Sequence, residues 1–189
     1  MSLECLVPVS DDDLLDYWTD TLEAGAAGQV EEHLFACGEC SARLDRIAAL
    51  GAGVATLVRS GRFAGIVSRS TLNRMQRDGV HVRTYTIDPG ERVPCAAFPD
   101  DDLLVLALRV DFGGADAVTV SLARADDGVV VNHVTQVPVL PNEREILWAT
   151  PGDAIRQMPS ARMRVTVRSE GATPAVLAEY ELDHTHLPA

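Results

Sequence analysis

Lysine is absent: all sixteen basic residues of this 189-residue chain are arginine, set against 28 acidic side chains for a net charge of -12. The first 40 residues carry ten acids and no arginine at all. A surface of that sign repels phosphate, so nucleic acid is not expected as a direct partner. Long apolar runs are missing as well. The longest mostly apolar stretch, residues 47–58, has twelve residues, too few to span a bilayer as a helix. Residues 1–10 have no positive charge and only a short apolar run, unlike a secretion signal. Cysteines number four (Cys5, Cys37, Cys40 and Cys95), which is few for a chain of this size, and a Cys-x-x-Cys beside a histidine suits a reducing compartment better than a disulfide framework. The expectation is a cytoplasmic protein without membrane contact. A Gly-rich phosphate loop, a Ser-His-Asp arrangement and a convincing pair of catalytic carboxylates are also lacking, so an enzyme is not indicated.

What is present is His33 followed by Cys37 four residues later and Cys40 three beyond that. On a helix, His33 and Cys37 share one face a turn apart, and Gly38 lets the backbone turn and bring Cys40 alongside. Thiolates and imidazole are the donors zinc prefers in a tetrahedral site. Three ligands leave a fourth to come from elsewhere in the chain, from water or from a partner.

Around this motif the chain changes character near residue 78. Before it, Ala, Leu, Asp and Glu dominate with helical spacing. Ser10, followed by Asp11, Asp12 and Asp13, reads as the capped start of a first helix running to about Leu22. The Gly25 and Gly28 region reads as a turn, and residues 29–36 as a second helix. A third helix follows from Cys40 to about Val58, with Gly51 and Gly53 allowing close packing or a bend, and Ser60-Gly61 stops it. A fourth, basic helix is expected over 64–77. Beyond Gly79 the pattern becomes short Val- and Thr-rich strands at 80–87, 103–112, 117–124, 128–134, 145–149, 161–168 and 175–182. Turn signals separate them, Pro141-Asn142 among these. The expected fold is α plus β in two domains: a helical unit over 1–78 and an antiparallel β-sandwich over 79–189.

The stretch Val30-Glu31-Glu32-His33-Leu34 with Cys37-x-x-Cys40-x-x-Arg43-Leu44, preceded by an acidic helix bearing Leu14, Leu15 and Tyr17, resembles the zinc-binding anti-sigma factors of bacteria. The resemblance covers about the first 78 residues. It implies a four-helix zinc domain, three helices in a bundle and a fourth that swings out, clasping an extracytoplasmic-function sigma factor and hiding its polymerase-binding surfaces. It also implies His33, Cys37 and Cys40 as zinc ligands. Aligned through Tyr17 and His33, the position where the family carries a further His or Cys holds Pro8, which cannot bind metal. Cys5, three residues earlier, is the candidate fourth ligand, with Asp11 or Asp12 as oxygen alternatives; otherwise Cys5 is an unpaired thiol. In redox-responsive members, oxidation of the ligand thiolates expels zinc and frees the sigma factor.

The second domain offers fewer signals. The segment Thr84-Tyr85-Thr86-Ile87-Asp88-Pro89-Gly90-Glu91 faintly resembles the opening strand of a cupin barrel, although the strand at 103–112 has none of the histidines or glutamates a metal-binding cupin needs. Alternative roles are a β-sandwich module that binds a small ligand or lipid beside a structural zinc bundle, and a cupin-like metalloenzyme. His184 and His186 could form a metal pair or a solvated tail; His81 and His133 are isolated; the Asp100-Asp101-Asp102 run lacks the spacing of a calcium loop.

Overall fold

The computed structural model describes residues 5, 7–59, 64–140, 143–171 and 173–187, so the stops expected at Ser60-Gly61 and Pro141-Asn142 lie outside the described residues. Three helices come first: α1 (Asp11–Thr19), α2 (Ala24–Ala36) and α3 (Gly38–Arg59). The Ser10 hydroxyl oxygen accepts the Asp13 N–H at 3.0 Å, as an N-cap should. α1 ends earlier than expected, because Asp20 turns into the left-handed region at φ 59 and its N–H closes on the Asp16 and Tyr17 carbonyls. The turn thus falls before Ala24, and Gly25 and Gly28 lie inside α2. Three alanines in its first turn offset two glycines that each cost roughly 1 kcal/mol. Among the described residues of these helices only Leu14, Thr19, Val30 and Cys40 are buried. That is a thin core for a unit of this size.

Then come β1 (Gly65–Val67), α4 (Arg69–Arg77), β2 (Val82–Ile87), β3 (Arg92–Cys95), β4 (Leu103–Arg109), β5 (Ala117–Arg124), β6 (Val130–Pro138), β7 (Glu145–Pro151), α5 (Gly152–Gln157), β8 (Ala161–Ser169) and β9 (Val176–His184). They build a two-sheet sandwich with orders β1-β7-β4-β2 and β3-β9-β8-β5-β6. The sheets are mixed, where the strand pattern predicts an antiparallel sandwich: β2 runs parallel to β4, and β3 parallel to β9. The cause is that the chain changes sheet at most connections. β2 is followed by β3 in the other sheet, and the return as β4 runs in the original direction. Only β5–β6 and β8–β9 are sequence neighbours that pair.

Leu104, Leu106 and Leu108 of β4 face the inter-sheet core with Trp148, Val120, Val165 and Tyr180. The alternate residues Leu103, Val105 and Ala107 are buried too, under Leu72 and Met75 of α4, with Val54 of α3 packed against them. A strand covered on both faces reads as a continuous apolar run, which is why β4 does not alternate. The helix expected over 64–77 is therefore split. Gly65–Val67 pairs with β7, and α4 starts only after Ser68, whose Oγ accepts the Thr71 N–H. α4 lies on the sheet, so the four-helix arrangement appears as three helices plus one that the sandwich shares. Gly152 starts α5 where a Cβ would stand 1.9 Å from the Asp101 carbonyl oxygen, so that approach excludes any side chain. Among the described residues no helix is long and apolar enough to cross a membrane.

Candidate metal centre

A single residue, Cys37, joins α2 to α3. Its N–H still bonds the His33 carbonyl at 2.9 Å, and its extended backbone (φ -121, ψ 102) ends α2 and starts α3 in a new direction. Ser41 ties the corner, its hydroxyl directed at the carbonyls of Leu34 (2.7 Å) and Cys37 (3.0 Å). The helical spacing places His33 one turn before Cys37, and Cys40 sits in the first turn of α3. The N-terminal segment folds back to bring Cys5 to the same point. One ligand atom each from Cys5, His33, Cys37 and Cys40 lies within 4.8 Å of every other, with Cys40 buried and the rest half-buried.

The Cys5 sulfur stands 3.5 Å from His33 Nε2 and 3.9 Å from the Cys40 sulfur. A tetrahedral ion with metal–sulfur bonds of about 2.3 Å and metal–nitrogen bonds of about 2.0 Å requires edges of about 3.8 Å between sulfurs and about 3.5 Å between sulfur and nitrogen. The two edges at Cys5 match that geometry, and the remaining ligand atoms lie within 4.8 Å of one another. Cys5 is the fourth member of the cluster.

The electrostatics favour anionic sulfur at Cys37. The backbone N–H of Cys40, then the neighbouring Cys5, the Glu39 N–H and His33, lower the Cys37 pKa to about 7. Cys5 is pushed up to about 11, first by desolvation and then by its contacts with the Cys37 and Cys40 sulfurs. Without a metal, Cys37 ionises well before Cys5. Arg43 secures the incoming segment. Its Nε donates to Asp11 at 3.1 Å, its Nη1 donates to the Val9 carbonyl at 2.7 Å, and that same Nη1 lies 4.0 Å from the Cys40 sulfur. Asp11 is thus engaged by Arg43. The Cys5 N–H donates to the Glu39 carboxylate at 3.2 Å. Arg43 stands inside the stretch that carries the family resemblance, but spacing alone assigns it no role.

Next to this corner, a groove of about 590 Å³ runs between α1, α3 and α4. Trp18, Ile47, Val54 and Met75 line it, and Leu15 and Leu50 stand at it 46 % and 72 % exposed. Among the described residues no other group of three or more His, Cys, Asp or Glu side chains is gathered closely enough to hold an ion. His184 is built into the end of β9, buried, with Nε2 3.2 Å from the Met158 carbonyl, while His186 is exposed. His81 and His133 are exposed, and Cys95 is buried at the end of β3. The acidic run serves the fold: buried Asp101 accepts the Phe98 N–H at 2.7 Å and the Arg83 guanidinium at 2.6 Å, and Asp102 accepts the His81 N–H.

No protein-family model matches the chain, and no curated protein matches it. Fold and site define it as a helical unit with a Cys/His donor set able to hold a metal ion, carried on a mixed-sheet β-sandwich.

Proposed function

We propose that the ion is zinc and that the chain is an anti-sigma factor, sequestering an extracytoplasmic-function sigma factor and so repressing transcription from its promoters. The observation that carries the reading is the convergence of Cys5, His33, Cys37 and Cys40 at the one-residue joint between α2 and α3. Three thiols and an imidazole gathered at one point suit zinc. Bound there, zinc supplies cross-linking: it fixes the angle between two helices whose shared core is too small to do so.

His33 and Cys37 hold the end of α2, Cys40 holds the start of α3, and Cys5 draws the segment before α1 onto both. That leaves the apolar groove between α1, α3 and α4 in a set shape beside an acidic first helix. An exposed apolar surface of this kind is what a protein partner covers. Release by oxidation is a further part of the proposal. Two ligand thiolates give two electrons to peroxide, join as a disulfide and lose the ion.

Co-expression with the extracytoplasmic-function sigma factors of the same genome tests the reading. A one-to-one complex with one of them is expected, together with loss of activity from its promoter. Absence of any complex from a folded, zinc-loaded chain contradicts it.

A further inference from the structure

At the open edge of the sandwich, between β1 and β7 of one sheet and β6 of the other, lies a cavity of about 550 Å³. That is within the usual size range of small-molecule sites. Its apolar lining includes Phe112, Val118, Val137 and Ile146, all members of the inter-sheet core, so the cavity enters the sandwich rather than lying on it. The mouth is shaped by an irregularity in β6. Between its pairings with Val118 and Val120 this strand carries one residue more than β5, and there Gln136 adopts φ 54, a left-handed conformation unusual for a residue other than glycine. Glu170 maintains it, its Oε1 accepting both the Gln136 N–H and the Thr119 hydroxyl at 2.6 Å. Strained backbone that neighbouring groups hold in place concentrates at binding sites.

The charges at the mouth are unequal in their engagements. Glu145 pairs with Arg69, and Glu143 accepts the Leu140 N–H at 3.2 Å. The Arg144 guanidinium, exposed between those two acids, has no hydrogen-bond or ion-pair partner among the described residues. A polar ligand would leave the apolar walls wet, and a plain hydrocarbon would make no use of Arg144.

We propose that this edge cavity binds a small amphiphile, an acyl chain seated between the sheets with its carboxylate paired to Arg144. The site is independent of the anti-sigma reading. It also touches the helical part, because Ser68 and Arg69, which begin α4, line the same cavity.

Titration calorimetry of the full zinc-loaded chain with decanoate and with decanol tests it, alongside the variants Arg144→Gln and Val134→Trp. Saturable one-to-one binding of decanoate, at least tenfold tighter than decanol, is expected. Arg144→Gln, a surface change, should erase that preference and leave decanol binding intact. Val134→Trp should fill the cavity and abolish both; Thr135→Trp serves the same purpose if the first variant does not fold. Failure of decanoate to bind the native chain, equal affinity for acid and alcohol, or unchanged decanoate affinity in Arg144→Gln overturns the proposal.

Discussion

A Cβ on Gly51 would lie 2.2 Å from Cη2 of Trp18, so the indole of α1 rests directly on the backbone of α3. The Arg74 guanidinium of α4 stands over the same ring, 5.1 Å from its centroid, and donates to the Trp18 carbonyl at 3.3 Å. One tryptophan therefore joins three helices and forms a wall of the groove.

Gly51→Ala should displace the indole and destabilise the helical unit by about 1–3 kcal/mol, the usual cost of overpacking. A Cβ on Gly53, two residues on, would meet nothing within 4 Å, so Gly53→Ala should stabilise α3 by about 0.5–1 kcal/mol. Paired urea denaturations followed by tryptophan fluorescence check the opposite signs.

Arg43 ties the segment after Cys5 to α3 through Asp11 and the Val9 carbonyl. Arg43→Ala should leave all four ligands in place yet weaken zinc binding by about 10–100-fold, the usual effect of losing a group that orients metal ligands. Cys5→Ser should weaken it further by removing a thiolate. Competition with a chromophoric chelator measures both.

With Cys37 lowered to about 7, and Cys5 and Cys95 pushed up to about 11, metal-free protein should be alkylated first at Cys37. The rate should reach half its plateau near pH 7, since the thiolate is the reacting form, and zinc should suppress it. Iodoacetamide labelling read by peptide mass spectrometry checks order and midpoint.

Four carboxylates are held below their ordinary range: Asp20 by Arg77, Asp127 by the Val129 N–H, Glu170 by the Thr119 hydroxyl and Asp183 by Arg92. A carboxylate whose folded pKa is depressed adds stability above its unfolded value, about 4, and that contribution is lost as pH falls through the folded value. Thermal midpoints should hold from neutral pH down to about 5 and decline below about 4. Calorimetry across that range provides the check.

Features that are local and periodic are legible in the sequence. His33 and Cys37 at one helical turn, with Cys40 just past a glycine, announce by spacing alone a cluster of metal-competent side chains, and β5 is legible residue for residue from its Val and Thr content. Pairing is not legible. A strand's alternation tells which side chains share a face, not which neighbour they meet, so the parallel pairs β2–β4 and β3–β9 leave no mark in it. β1 and β3, of three and four residues, are too short to show a period. α4 misleads for a different reason: Leu72 and Met75 have helical spacing whether they complete a bundle or cover a sheet, and only the doubly buried run of β4 explains the second outcome. Cys5 lies outside any helix or strand, where spacing fixes no partner, so its arrival beside Cys40 depends on contacts such as Arg43 with Val9 and Asp11.

Sequestration is tested most directly by transcription in vitro, with RNA polymerase and the extracytoplasmic-function sigma factor proposed as partner titrated with this protein at known zinc content. One equivalent of zinc-loaded protein should abolish transcription, and the Cys37→Ser, Cys40→Ser double variant should not. Undiminished transcription in the presence of excess folded, zinc-loaded protein would contradict it.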